Sequence, residues 1–305
     1  MAKILVTGGA GFIGSHIADF LIKEGNEIII IDNLSSGRKE NINIKARFYN
    51  EDLGNSEKLK EIFEQEKPEV VYHLAAQIDI RKSVENPAED AKQNILNSLN
   101  LLELCAHSGV KHFIFSSTGG AIYGDTEQIP TNEKHETNPV SAYGCAKLAV
   151  EKYLDYYNNI YGLHYTILRY SNVYGPRQNA KGEAGVVSIF LDNMFKGKNS
   201  DIFGGVQTRD FVFVEDVARA NLLVLRDEGN NVYNISTGKE TDIIEIFSLL
   251  NSIFNNNFKA IFNDSKKGEQ KRSCLSYQKI KDKLGWMPVV SLEEGLRKTY
   301  EWRKN

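Results

Sequence analysis

Two short groups of residues have the types and spacing that redox chemistry on an alcohol requires. The first, Thr7–Gly14 (TGGAGFIG), contains the spacing Gly-x-Gly-x-x-Gly and follows an apolar run. A dinucleotide pyrophosphate binds backbone N–H groups at a helix N-terminus, and only glycine allows the chain to approach it that closely. Such glycine patterns are common in turns. Here, however, the pattern separates a predicted buried strand from a predicted helix, which favours a dinucleotide site.

An acidic residue ends the second apolar run. Asp32 lies 18 residues after Gly14, where a carboxylate can accept hydrogen bonds from both hydroxyls of an adenosine ribose. Because a carboxylate repels a 2′-phosphate, the sequence favours NAD over NADP. Arg38 leaves an alternative open, since a nearby arginine can hold a 2′-phosphate. The competing interpretation of Arg38 is a solvated charge in a loop.

The second group is Tyr143 and Lys147, which the spacing of four residues puts on one face of a predicted helix. Removing a hydride from a carbinol carbon requires a base on its oxygen. A tyrosine, with a free pKa of ~10, needs nearby positive charge to serve near neutral pH. The preceding strand leads into Ser116-Ser117-Thr118 at its carboxyl edge, and Thr118 is expected to face Tyr143 across a substrate. The alternative is a half-buried tyrosine beside a surface lysine.

The first half of the chain alternates between short apolar runs and amphipathic stretches, a pattern that predicts βαβ units. The predicted fold class is α/β, a Rossmann-type doubly wound parallel sheet with a smaller, intertwined C-terminal substrate domain. The predicted strands are Lys3–Thr7, Glu27–Ile31, Arg47–Asn50, Glu69–His73, Lys111–Ser116 and His164–Tyr170. The predicted helices are Phe12–Lys23, Ser56–Gln65, Pro87–His107 and Ser141–Tyr161.

The alternation loosens after about Asn172, where polar and glycine-containing segments interrupt the chain. Val212–Val214 and Val232–Ile235 still have the composition of sheet strands, which indicates that two domains are intertwined. We therefore expect residues 1–172 with about 208–236 to form the dinucleotide-binding domain. The substrate domain is expected to comprise about 173–207 and 237–305.

The composition excludes several classes of protein. With 305 residues, 41% hydrophobic and 25% charged, the chain is expected to form about two domains. A net charge of −3 provides no basic surface for a phosphate backbone, so no nucleic-acid partner is expected. No apolar run approaches the roughly 20 residues of a membrane helix, and glycines interrupt the apolar N-terminus. Three separated cysteines and six dispersed histidines predict reduced thiols, a cytoplasmic protein and no metal site.

Together these residues resemble the extended short-chain dehydrogenase/reductase family, and more narrowly its nucleotide-sugar epimerases of the UDP-glucose 4-epimerase type. Further segments look like landmarks of that family, so that the resemblance spans essentially the whole chain: His73–Gln77 (HLAAQ), Leu168–Gln178 (LRYSNVYGPRQ), Thr208–Ala218 (TRDFVFVEDVA) and Leu284–Pro288 (LGWMP).

The resemblance implies NAD as the cofactor, with Tyr143 as the base and Lys147 as its modulator. The implied cofactor-binding residues are Gly8, Gly11, Phe12, Ile13, Gly14, Asp32, Asn33, Asp52, Leu53, Leu74, Ala75, Ala76, Gln77, Asn94, Tyr143, Lys147 and Tyr170. Less specific readings remain open: Asp52 could be a helix N-terminal acid and Asn94 a polar position on a helix.

The implied substrate is a UDP-sugar. Its implied contacts are Thr118, Tyr143, Asn172, Arg209, Lys266, Arg272 and Ser273. Arg209 would clamp the diphosphate, since a guanidinium fork suits it better than a point charge, with Lys266 or Arg272 as a second cation. A surface ion pair is the alternative for Arg209. The small Ser273 would leave room for an N-acetyl group, which adds UDP-GlcNAc/UDP-GalNAc to UDP-glucose/UDP-galactose as substrates.

The implied reaction is 4-epimerisation by transient oxidation to a 4-keto sugar. Gly119-Gly120 follows Thr118 where the family's 4,6-dehydratases carry an acid–base pair, although the dipeptide itself has no predicted role. A 4,6-dehydratase or another epimerase remains the enzymatic alternative, and an NAD-sensing regulator the non-enzymatic one. The family also implies a homodimer through helices 87–107 and 141–161.

Overall fold

The computed structural model of the chain describes residues 1–180, 185–205, 207–264 and 271–305. In it a parallel sheet positions the residues of the predicted site. The described strands are β1 (Lys3–Thr7), β2 (Glu27–Ile31), β3 (Arg47–Tyr49), β4 (Val70–His73), β5 (His112–Thr118), β6 (His164–Tyr170), β7 (Asn172–Tyr174), β8 (Ser200–Phe203), β9 (Thr208–Arg209), β10 (Phe211–Phe213), β11 (Asn231–Ile235), β12 (Thr241–Asp242), β13 (Ala260–Asn263) and β14 (Arg272–Ser273).

The described helices are α1 (Phe12–Lys23), α2 (Ser56–Glu66), α3 (Ile80–Glu85), α4 (Pro87–Ala91), α5 (Asn97–His107), α6 (Gly119–Ile122), α7 (Ala142–Tyr161), α8 (Val186–Phe195), α9 (Val214–Leu223), α10 (Ile243–Ile253), α11 (Gln278–Leu284) and α12 (Leu292–Lys304). A π-helical turn, Lys92–Leu96, joins α4 to α5, so the predicted helix Pro87–His107 is continuous but changes its winding.

Seven strands form the main sheet in the order β11-β6-β5-β4-β1-β2-β3, with every neighbouring pair parallel. Its strands are apolar on both faces because helices cover both. Ile4 of β1 belongs to a core shared with α1 and α9, whereas the adjacent Leu5 belongs to one shared with α5 and α7. The predicted Rossmann-type α/β fold is confirmed. The strand β5 runs to Thr118, beyond its predicted end, because pairing with β6 continues to Tyr170.

The chain leaves the main sheet after β6 and again after β11, and these excursions build a second region. Helices α8, α10 and α12 surround a separate apolar core, flanked by the small sheets β10-β7, β12-β9-β14 and β13-β8. Asn231–Ile235 returns to the main sheet beside β6, as expected for that segment. By contrast, Phe211–Phe213 pairs with Asn172–Tyr174 and lies outside the seven-stranded sheet. Among the described residues no helix combines the length and apolar character needed to cross a membrane.

Candidate active site

The glycine turn links β1 to α1 at the carboxyl edge of the main sheet. Gly8 has a φ of +70°, and a Cβ there would lie 2.7 Å from the backbone nitrogen of Ala75. A Cβ on Gly14 would collide with the carbonyl oxygen of Gly8. Gly11 precedes the helix and offers no side chain to cap it. The first amide groups of α1 are therefore left for an anionic ligand, as a pyrophosphate requires.

A cavity of about 520 Å³ opens at this edge, within the range of ligand sites. It is lined by all but one of the predicted cofactor-binding residues: Gly8, Gly11, Phe12, Ile13, Gly14, Asp32, Asn33, Asp52, Leu53, Leu74, Ala75, Ala76, Gln77, Tyr143, Lys147 and Tyr170. It is also lined by residues that the sequence did not single out, among them Lys82, Gln93, Asn97, Ser116 and Ser117. The structure thus brings the glycine turn and the Tyr143–Lys147 pair to one cavity.

Two carboxylates at the edge of this cavity are held in fixed orientations. Asp32 accepts hydrogen bonds from the backbone nitrogens of Ala10 (3.0 Å) and Leu34 (2.8 Å). Burial raises the pKa of Asp32, while these two hydrogen bonds act in the opposite direction. Asp52 accepts hydrogen bonds from the Asn33 side chain (2.6 Å) and a backbone amide (2.7 Å). Both carboxylates are therefore oriented before any ligand binds.

Arg38, the residue that left NADP open, lies in a solvated environment. Its guanidinium is 3.9 Å from Glu40, and the two side chains are 45% and 71% exposed. Arg38 does not line the cavity. The geometry favours the solvated loop charge over a 2′-phosphate site.

Tyr143 and Lys147 lie in the first turns of α7, which Ser141 caps by accepting a hydrogen bond from the Gly144 amide (3.1 Å). The Tyr143 amide donates to Ser83 Oγ of α3 at 3.3 Å, which satisfies another free amide of the helix end. The Lys147 Nζ lies 5.9 Å from the centre of the Tyr143 ring. The pair therefore has the proximity that its spacing predicts.

Lys147 is buried, with 4% of its surface exposed, so it is not the surface lysine of the alternative interpretation. Its Nζ donates to the Ser116 carbonyl at 2.8 Å and lies 4.7 Å from the centre of the Phe115 ring. Burial lowers the pKa of Lys147 to about 8, and the nearby carboxylates Asp90 and Glu151 oppose that shift. These two carboxylates therefore favour the charged form of the lysine.

Glu151 lies one turn beyond Lys147 and was not identified from the sequence. It accepts hydrogen bonds from Ser117 Oγ at 2.6 Å and from Arg169 Nε at 3.0 Å and Nη2 at 2.5 Å. These contacts tie α7 to β5 and β6 at the level of the cavity. The signal available in the sequence was its spacing of four residues from Lys147, which repeats the spacing between Tyr143 and Lys147.

Two residues that were predicted to lie close to the reacting groups, Asn94 and Thr118, do not line the cavity. Asn94, expected near the nicotinamide half, is 3% exposed and clamps Gln77: its Nδ2 donates to the Gln77 carbonyl and its Oδ1 accepts from the Gln77 amide, both at 2.8 Å. Thr118 ends β5 and precedes α6, and the two residues before it, Ser116 and Ser117, line the cavity. Asn94 therefore shapes the cavity wall through Gln77.

The Asn94 clamp belongs to a buried network that reaches β1. His73 is bonded to Thr7 Oγ1 through Nδ1 and to Ser98 Oγ through Nε2, both at 2.8 Å. Because Ser98 Oγ donates to the Asn94 carbonyl (2.7 Å), it accepts from Nε2–H, and Nδ1 is the acceptor for Thr7. Burial lowers the pKa of His73 to about 3, so this neutral tautomer is the stable form.

Three of the predicted substrate residues, Asn172, Arg209 and Ser273, lie together in the second region, apart from Thr118 and Tyr143. Arg209 of β9 is paired in register with Ser273 of β14, and the Arg209 Nη1 donates to the Thr208 carbonyl at 2.8 Å. The Asn172 amide donates to the Asp210 carbonyl at 2.9 Å, which holds Asn172 beside this strand. None of these three residues lines the cavity described above. The cofactor and substrate predictions therefore fall on two adjoining regions.

The two candidates for a second cation have different outcomes. Arg272 donates to Glu240 from Nε (2.9 Å) and Nη2 (2.5 Å), and its side chain is 54% exposed. Its charge is already compensated by that carboxylate. Lys266 lies outside the described residues.

Gly119 has a packing role that the sequence did not reveal. A Cβ at this position would collide with the Leu275 side chain, so glycine allows α6 to approach the segment that carries Ser273. Within residues 1–180, 185–205, 207–264 and 271–305, no group of three or more histidine, cysteine, aspartate or glutamate side chains could hold a metal ion.

Comparison with known proteins identifies the family. The model of the NAD dependent epimerase/dehydratase family matches residues 4–236. The chain belongs to this family. NAD is the cofactor of the family, and the glycine turn, the uncapped helix end and the oriented Asp32 fit it.

Individual members of the family resemble this chain over its whole length. A Methanocaldococcus jannaschii protein, provisionally named as a UDP-glucose 4-epimerase, is 48% identical, covering 99% of this chain and 98% of that protein. The Thermotoga maritima UDP-glucose 4-epimerase, solved with UDP-glucose, has a TM-score of 0.97 at 51% identity, with 99% and 98% of the two chains covered. The Thermus thermophilus UDP-glucose 4-epimerase, solved with NAD, has a TM-score of 0.95 at 39% identity, with 99% of each chain covered.

Proposed function

We propose that the protein is a UDP-sugar 4-epimerase that interconverts UDP-glucose and UDP-galactose. One juxtaposition carries the proposal: Tyr143 and Lys147 line the same cavity as the glycine turn and Asp32. A base that touches a substrate hydroxyl beside a dinucleotide has the geometry for reversible oxidation of an alcohol. The similarity to UDP-glucose 4-epimerases over the whole chain supports the choice of a UDP-hexose as the alcohol.

NAD, when bound, supplies a reversible hydride acceptor for C4 of the sugar, which passes through a 4-keto form. Tyr143 takes the proton of the C4 hydroxyl. It returns a proton to that oxygen after the hexose has rotated and presents the opposite face of C4. Lys147 lies close enough for its positive charge to favour the phenolate form of Tyr143, and its hydrogen bond to the Ser116 carbonyl fixes it there. Thr118, next to the cavity-lining Ser117, provides a second hydrogen bond to the same oxygen.

The second region holds the UDP diphosphate through Arg209 and Asn172, while Ser273 lies against Arg209. Because the diphosphate is held apart from the cavity, the hexose can rotate about it and present either face of C4. Thr118 is followed by Gly119 and Gly120, so no acid–base pair adjoins it for the elimination of water. These features favour epimerisation over 4,6-dehydration.

A product assay tests the proposal. The purified protein is incubated separately with UDP-glucose, UDP-galactose, UDP-GlcNAc and UDP-GalNAc, and the nucleotide sugars are resolved by chromatography. We expect the two unmodified hexoses to interconvert from either direction. Interconversion of the N-acetylated pair would support the role of the small Ser273. A 4-keto-6-deoxy product would indicate a dehydratase, and tight NAD binding without turnover of any sugar would indicate a sensor; either contradicts the proposal.

We further propose a homodimer through helices 87–107 and 141–161, in the cytoplasm. These helices expose the large apolar side chains of Leu96, Tyr153, Tyr156, Ile160 and Tyr161. Such a patch is typical of an interface. The three unpaired cysteines suit a reducing compartment. Sedimentation equilibrium is expected to give twice the 34.4 kDa chain mass, and a monomer would contradict the interface.

A further inference from the structure

We propose that Asp210 is a positioning residue of the substrate site, whose buried carboxylate fixes the relative positions of the segments that carry Asn172, Arg209 and Ser273. The inference rests on the proposed function, which assigns these three residues to the UDP-sugar. None of the predicted substrate contacts includes Asp210 itself.

The two carboxylate oxygens of Asp210 bind different segments. Oδ1 accepts hydrogen bonds from the Thr237 amide (2.8 Å), the Thr237 hydroxyl (2.7 Å) and Ser171 Oγ (3.4 Å). Oδ2 accepts from the amides of Gly238 (3.0 Å) and Leu275 (3.3 Å). One carboxylate therefore joins the ends of β6 and β11 to the segment after β14.

Three of the segments that Asp210 brings together adjoin a substrate residue in the chain. Ser171 precedes Asn172, Asp210 follows Arg209, and Leu275 lies two residues after Ser273. The backbone carbonyl of Asp210 also accepts a hydrogen bond from the Asn172 amide at 2.9 Å. Displacement of this one side chain would therefore move all three substrate contacts at once.

The environment of Asp210 suits a fixed hydrogen-bond acceptor. The residue is 0% exposed, and within the described parts of the chain no basic side chain forms an ion pair with it. Its partners are neutral donors aimed at both oxygens, and hydrogen bonds to an ionised carboxylate are stronger and shorter than neutral ones. An amide in its place would present two hydrogen atoms to those donors and could not satisfy them.

Asp216, on the same stretch of chain, is a matched control. It is 1% exposed and accepts hydrogen bonds from the amides of Val289 and Val290, both at 3.1 Å, and from Arg219 at 2.6 Å. It thus has the same burial and also accepts two backbone amides, although Arg219 pairs with it, and it joins α9 to the segment before α12. That segment carries no substrate contact.

The experiment compares Asp210→Asn with Asp216→Asn in the NAD-loaded protein. It measures kcat and KM for UDP-galactose, the Kd of UDP by calorimetry, retained NAD and the melting temperature. We expect both variants to melt at lower temperature. Only Asp210→Asn is expected to raise KM and the Kd of UDP, by roughly tenfold to a hundredfold, with NAD retained. Equal increases in the two variants, or an unchanged KM and Kd in Asp210→Asn, would overturn the inference.

Thr237→Val provides a second test if Asp210→Asn does not fold. It removes one hydrogen bond to Oδ1 and keeps the carboxylate, the shape of the side chain and the Thr237 amide bond. A smaller rise in KM with unchanged kcat supports the inference, and an unchanged KM and Kd overturns it. If the wild-type protein binds UDP without epimerising any sugar, the proposed function fails, while the Kd comparison still decides the role of Asp210.

Discussion

The cofactor cavity and the substrate cluster are built in different ways. The cavity lies along the ends of neighbouring parallel strands: most of its residues lie at or just after the ends of β1, β2, β3, β4 and β5, and Tyr143 and Lys147 come from α7. The substrate cluster joins two- and three-stranded sheets from distant parts of the chain, and side-chain hydrogen bonds to Asp210 hold it together. Substitutions in the two regions should therefore have different effects. Those in the cofactor cavity should lower turnover or stability, and those in the substrate cluster should lower the affinity for the nucleotide sugar.

The largest expected effect is on the cavity side, from Tyr143→Phe. Removing the phenol oxygen leaves the ring beside Lys147 but removes the base, so kcat should fall by about 10²- to 10⁴-fold while NAD remains bound. Initial rates with UDP-galactose and the absorbance of retained NAD measure the two properties. Tyr153→Phe is the control, since Tyr153 is on the same helix and 40% exposed. Equal activity in the two variants would contradict the assignment of Tyr143 as the base.

A second prediction uses the histidines of the main sheet and its first helix. Burial lowers the pKa values of His16 and His112 to about 4 and that of His73 to about 3. As the pH falls, these histidines are protonated in the unfolded chain, where their pKa is near 6.5, before they are protonated in the folded protein. The free energy of unfolding therefore decreases as the pH falls from about 7 towards 4.

Between pH 7 and pH 6 the free energy of unfolding in urea should fall by about 2 kcal/mol. All six histidines precede residue 165, so the destabilisation originates in the part of the chain that carries the cavity. An unfolding free energy that stays constant over this interval would mean that these histidines are not buried in their neutral form.

A smaller effect is expected on the substrate side, from Arg209→Lys. A lysine retains the charge but loses the planar fork that matches a diphosphate, so KM for UDP-galactose should rise about tenfold with NAD binding unchanged. Arg272→Lys is the comparison and should change KM less, because Glu240 already compensates Arg272. Loss of NAD from Arg209→Lys would show that the two regions are not separable in this way.

The same difference explains what could be predicted from the sequence. The strand–turn–helix pattern around Gly8 and Gly14, the acid at Asp32 and the spacing of Tyr143 and Lys147 are local, and strand ends in a parallel sheet share one edge. The fold, the glycine turn, Asp32 and the Tyr143–Lys147 pair therefore followed from short motifs, whereas the rest of the predicted cavity lining, such as Asp52 and Leu74–Gln77, rested on the family resemblance.

The remaining contacts join residues that are far apart in the chain. Asn94 clamps Gln77, and Asp210 accepts hydrogen bonds from Thr237 and Leu275. Nothing in the local pattern around Asn94 or Asp210 identifies these partners, because packing between separate elements decides them. The same holds for Gly119. Only glycine fits there, because the Leu275 side chain occupies the space that a Cβ would need.

The central claim is that C4 of a UDP-hexose is inverted by removal and return of the same hydrogen. Incubation of the protein with UDP-galactose in D₂O, followed by proton NMR of the isolated nucleotide sugars, tests this claim most directly. We predict a mixture of UDP-galactose and UDP-glucose with no deuterium at C4, because only the hydroxyl proton exchanges through Tyr143. Deuterium at C4 of the product, or no UDP-glucose at all, would contradict the account.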